Sequence, residues 1–172
     1  MKLNRTILTI CSRTALLALA VGAFALAPSP VQAGDQVPFR ASWDAQIEIT
    51  PLNPPLVAVS GLGEGRATHL GRMTAQSIAE VVNLATGEGA ASYRFTAANG
   101  DEVHVNFVFT AIPISATTFA IQGVWQETGG TGRFDGASGS GSYEGKVEFT
   151  GPVNAVGHFE MQGTISSPGS LR

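Results

Sequence analysis

From Phe39 onward the chain alternates. Phe39, Ala41, Trp43, Ala45, Ile47 and Ile49 interleave with Arg40, Ser42, Asp44, Gln46, Glu48 and Thr50. Successive side chains of a β-strand point to opposite faces, so a period of two means one dry face and one wet face. Pro51, Pro54 and Pro55 end this first strand, because proline cannot donate to a ladder. The same period returns in Val103–Phe109, Phe119–Trp125, Tyr143–Phe149 and Val153–Met161. Asn99-Gly100-Asp101, just before Val103, is a hairpin signal. Residues 56–63, 66–76 and 90–97 alternate less cleanly, and Ile78–Leu84 reads either as a short helical turn or as a continuing strand.

About eight strands joined by short turns, with no sustained 3.6-residue period, predict an up-and-down antiparallel sheet. That many one-sided strands need their dry faces to meet. Closing the sheet does this and removes sticky edges. The predicted fold class is therefore all-β, an eight-stranded antiparallel up-and-down barrel. A two-layer β-sandwich is the competing solution.

The N-terminal end has a different composition. Lys2, Arg5 and Arg13 precede an apolar run from about Ala15 to Ala27, and Val31-Gln32-Ala33 offers a small-residue exit. This is the layout of a secretory signal peptide, with cleavage expected after Ala33. The apolar run is shorter than the roughly 20 residues a spanning helix needs. The expected organisation is a signal peptide over 1–33, one barrel domain over 34–165 and a loose polar tail over 166–172. The expected location is periplasmic or secreted, with no membrane span after cleavage.

Beyond Ala33 the chain has seven basic and 13 acidic residues, a formal charge of −6, and no cysteine. The acidic balance and the absence of a basic run argue against nucleic-acid binding. Without cysteine there is no disulfide framework, thiol nucleophile or cysteine metal site.

The glycine-rich stretch GGTGRFDGASGSGSYEG, residues 129–145, invites three cofactor readings. A P-loop needs a leading glycine and a Ser or Thr after Gly-Lys, but Ser140 and Val147 stand at those places. A dinucleotide loop needs G-x-G-x-x-G before a helix, but the next glycine, Gly136, comes one residue late. A calcium nonapeptide needs aspartate where Phe134 stands. The stretch reads as a wide turn, with Phe134 expected to pin it to the barrel end. No cofactor is implied.

Gly129, Gly130, Thr131, Gly132, Phe134, Ala137 and Gly139 resemble the Gly-Gly-Thr-Gly-x-Phe-x-x-Ala-x-Gly signature of the allene oxide cyclase and dirigent barrel superfamily. The stretches GEGRATHLGRMT and FTAANGDEVH resemble segments of its bacterial members. The resemblance implies an eight-stranded barrel, frequently a homotrimer, whose lumen takes a small apolar molecule. The cysteine of the plant cyclase pocket has no counterpart beyond Ala33.

A few residues stand out as site candidates. His104 and His158 share a phase with polar neighbours and read as outward, which argues against a three-histidine metal site. His69 shares a phase with Ala67, Gly71, Met73 and Ala75, a small-residue face suited to a cavity wall. Glu64 and Arg66 sit among glycines at an expected strand junction and read either as a rim pair or as a solvated turn. The expected ligand-lining residues are Trp43, His69, Met73, Phe119 and Trp125. The candidate proton-handling groups are His69 and Glu64. Three functions fit: a binding barrel for a small apolar ligand, a cyclase or isomerase acting by shape in the lumen, and a non-catalytic structural or envelope-interaction protein.

Overall fold

The computed structural model describes residues 35–166. The expected signal peptide with its cleavage point, and all of the expected tail except Ser166, lie outside the described residues. Eight strands follow one another: β1 Gln36–Pro51, β2 Leu56–Ala67, β3 Gly71–Asn83, β4 Glu88–Ala97, β5 Glu102–Pro113, β6 Thr118–Gly130, β7 Gly139–Phe149 and β8 Asn154–Ser166. Each pairs antiparallel with the next, and β8 pairs with β1, so the sheet is a closed barrel. The β-sandwich alternative is excluded. Among the described residues no helix is long and apolar enough to cross a membrane.

The alternation of β1 survives intact in three dimensions. Phe39, Ala41, Trp43, Ala45 and Ile47 are buried, and the residues between them are exposed. Ser166 is not part of a loose tail. It is the buried last residue of β8, its N–H donates to the Ser138 carbonyl, and its hydroxyl accepts from the Ser138 N–H at 2.9 Å.

The strand boundary near Gly63–Gly65 differs from the expectation. β2 runs through these glycines to Ala67, and the chain turns at 68–70 instead. The reason is packing. A Cβ on Gly65 would lie 2.6 Å from the Trp43 Cβ on the paired strand, so only glycine lets the backbones approach there. Glu64 consequently sits mid-strand, paired with Asp44 and exposed on the outer face, rather than in a turn.

Ile78–Leu84 is strand up to Asn83, not a helical turn. Its irregular pattern comes from a β-bulge. Six residues from Gln76 to Val81 oppose five from Leu62 to Ala58, and Ser77 to Ala79 opposes only Tyr93 to Ser92. The extra residue on β3 shifts the inward phase from odd to even positions.

Aromatic packing fills most of the lumen. Trp43 stacks on Phe159 and Tyr143, with ring centroids 5.3 and 6.0 Å apart, and meets Phe95 edge-on at 5.2 Å. At the end where the glycine-rich loop turns, Phe134 in a 3-10 turn over Gly132–Phe134 is fully buried, with Leu70 beside it in the same core. Arg133 ties that loop to two other turns, donating to Asp101 and, at 3.3 Å, to the His69 carbonyl. This end of the barrel is capped.

Candidate functional site

The opposite end is open and aliphatic. Ile49, Val59, Val82, Ala111, Phe119 and Val147 line a cavity of about 90 Å³, floored by Tyr93, Tyr143 and Phe159. One ionisable side chain that ordinarily carries charge at neutral pH enters it: Glu80.

The bulge explains why Glu80 is there. In a regular strand Met73, Ala75 and Ser77 would continue inward to Ala79 and Val81, and Glu80 would face water. With one extra residue after Ser77, Glu80 and Val82 turn into the lumen, while Ile78 and Val81 remain exposed on the outside. The interrupted ladder leaves the Gly61 N–H without a backbone partner on β3, and that N–H donates to Ser77 Oγ at 2.7 Å. The bulge is thus held by a side chain of its own strand.

Glu80 accepts a hydrogen bond from the Tyr93 hydroxyl at 2.9 Å. A Cβ on Gly61 would lie 2.9 Å from that hydroxyl, so glycine there makes room for it. Burial pushes the Glu80 carboxyl up to about 7, and the Tyr93 hydrogen bond pulls in the other direction without overcoming it. Burial and the nearby Glu80 charge raise both Tyr93 and Tyr143, so the two phenols stay neutral. The pocket therefore holds one carboxyl poised near neutrality and two permanent hydroxyls on an otherwise aliphatic and aromatic wall.

The expected site residues distribute unevenly. Phe119 borders the cavity. Trp43, Met73 and Trp125 face inward but belong to the filled part of the barrel, Trp43 one layer below the cavity through its stacks on Tyr143 and Phe159. His69 is not a wall residue. It occupies the exposed β2–β3 turn at φ 68, at the capped end, because the strand has already ended at Ala67. Glu64 lies outside the barrel. His104 and His158 are on outer faces, paired with Glu102 at 3.0 Å and Asp44 at 2.7 Å. Among the described residues no group of three His, Cys, Asp or Glu side chains has the geometry to hold a metal ion.

Sequence reasoning missed Glu80 because its inward phase depends on the bulge. The available hint was Ile78-Ala79 beside Val81-Val82, apolar pairs that no strict alternation accommodates. It also missed Glu127. This residue continues the inward phase of Ile121 and Trp125, is 4% exposed, and has neither carboxylate oxygen hydrogen-bonded among the described residues. Burial pushes it up to about 8. It lies against Gly139, away from the cavity and near the capped end.

Fold and cavity together define a closed eight-stranded barrel with a buried aromatic cluster and an apolar recess at one end. Compared with known proteins, the chain matches no family model, no curated protein and no solved structure.

Proposed function

We propose that the chain is a binding barrel for a small apolar molecule bearing one hydrogen-bonding group, admitted through the open end to lie beside Glu80. The observation that supports this reading is an unfilled apolar recess with a single carboxyl in its wall. Protein interiors ordinarily fill to crystal-like density, and a buried carboxyl without an ion partner is costly. A ligand group that hydrogen-bonds Glu80 compensates that cost. The cavity of about 90 Å³ suits a small ring or the end of a chain, since pockets for whole drug-sized ligands begin near 300 Å³. With its carboxyl near 7, Glu80 donates to a carbonyl or ether oxygen when protonated and accepts from a hydroxyl when ionised. The resemblance of the glycine stretch to allene oxide cyclase and dirigent barrels points the same way.

Native mass spectrometry of protein purified from its own source tests this directly. A co-purified apolar molecule is expected. It should be lost in Ala111→Trp, which fills the recess. Protein that carries no such molecule and takes up no uncharged apolar fluorophore would sink the reading.

One observation favours a second reading, a cyclase or isomerase. A general acid or base works best with a pKa near the operating pH, and Glu80 has this, with Tyr93 and Tyr143 alongside. Glu80 then replaces His69 and Glu64 as the proton-handling group. Conversion of the co-purified compound, abolished in Glu80→Gln with uptake retained, separates catalysis from binding.

A further inference from the structure

The two ends of the barrel differ chemically. Four loops surround the mouth: residues 52–55, 84–87, 114–117 and 150–153. None contains a charged residue. Each carries one exposed aliphatic side chain: Leu52 at 45%, Leu84 at 64%, Ile114 at 62% and Val153 at 40% exposure. The turns of the capped end hold His69, Asp101, Arg133 and Asp135 instead. Scattered surface aliphatics need no account. One on every loop around a single opening, with no charge among them, does.

The occupant follows from shape and charge. These side chains stand on four separate loops, so a rigid partner would have to match four projections at once. A fluid apolar layer conforms to them. The mouth also leads straight into the aliphatic recess, which Leu84 itself borders. An apolar solute passing from such a layer to the lumen would not cross water. Charge selects the kind of layer. Arg40, Arg66, Arg72, Arg94 and Arg133 all lie toward the capped end, whereas on the mouth side Glu48, Glu88 and Glu148 outnumber Lys146, the one basic residue there among the described residues. An anionic surface would repel this end, and a neutral one would not.

We infer that the protein docks by its open end on a neutral or zwitterionic lipid surface, with Leu52, Leu84, Ile114 and Val153 dipping into the interfacial region. Attachment of this kind scales with buried apolar area. It does not depend on what occupies the recess.

The test is flotation with phosphatidylcholine vesicles, using protein begun at Gly34, which keeps the whole closed ladder of Gln36–Ser166. The protein should float with the vesicles, and added phosphatidylglycerol should weaken the association. Leu52→Asp with Ile114→Asp, at two exposed loop positions outside the recess wall, should lower partitioning at least about tenfold. Leu84→Asp with Val153→Asp provides an independent pair. No flotation, flotation that requires the anionic lipid, or flotation unchanged in both pairs would overturn the inference. So would self-association lost in the same variants without lipid binding, which would show the rim to be covered by a second copy of the chain.

Discussion

Tyr93 on β4 donates to Glu80 on β3 across 2.9 Å, and the two meet only because β3 carries one residue more than the strands beside it. The hydrogen bond opposes the burial that raises the Glu80 carboxyl to about 7. Tyr93→Phe removes that opposition, so the carboxyl should titrate higher still. The cost should depend on pH. Losing a donor to a charged acceptor costs about 1.5–3 kcal/mol, and to a neutral one about 1 kcal/mol or less. Urea unfolding at pH 8 should therefore show a larger loss than at pH 5. Equal losses would mean that Glu80 does not change charge in this interval.

Ser77 is the second support of the same corner. Its hydroxyl receives the Gly61 N–H where the β2–β3 ladder is interrupted. Ser77→Ala leaves that donor without a partner, which costs about 1–3 kcal/mol. It should also loosen the bulge that aims Glu80. A Ser77→Ala protein that keeps full stability but takes up an apolar fluorophore as well as the parent would show that the bulge needs no such anchor.

Much of the architecture was legible in the alternation. The burial of β1, β5, β6 and β8 follows the odd positions read directly from sequence. What alternation does not carry is the residue count on the partner strand. The extra residue of β3 appears only when its ladders to β2 and β4 are seen together, so Glu80 stayed hidden. Glycine has a related ambiguity. At Gly63 and Gly65 it signals a close approach to the Asp44–Ala45 backbone and to Trp43 rather than a turn, and mistaking one for the other moved the β2–β3 turn. The same shift carries His69 out of the wall and into the turn, where it sits at positive φ. Glu127 was in phase all along, but a carboxylate with no hydrogen-bond partner is not what a strand's dry face leads one to expect.

Phe134 caps the end away from the recess. It is fully buried in the barrel core, where its loop is held by Arg133. Phe134→Ala should cost about 3–5 kcal/mol, the range for a large aromatic lost from a core. Because the recess lies at the other end, apolar-probe affinity at a temperature well below the unfolding midpoint should stay within about twofold of the parent, as expected of distant, independent sites. Thermal unfolding and probe titration on the same preparation check both halves.

Glu127 gives the protein an unusual response to base. Its carboxyl is raised to about 8 by burial, against an ordinary value of 4.5. A raised carboxyl means the folded state holds a proton that the unfolded chain has released. Stability is then fully present below about 4.5 and falls as pH climbs from there through about 8, after which it levels off. Each unit of difference corresponds to about 1.4 kcal/mol, so the loss across this window is of the order of a few kcal/mol. Glu80 adds to the slope up to about 7. Glu127→Met keeps the length of the side chain and removes the charge. It should raise the urea midpoint at pH 8, change it much less at pH 4.5, and leave only the shallower decline due to Glu80. An unchanged slope between pH 7 and 8.5 in this variant would mean that Glu127 is already ionised in the folded barrel and has found a partner there.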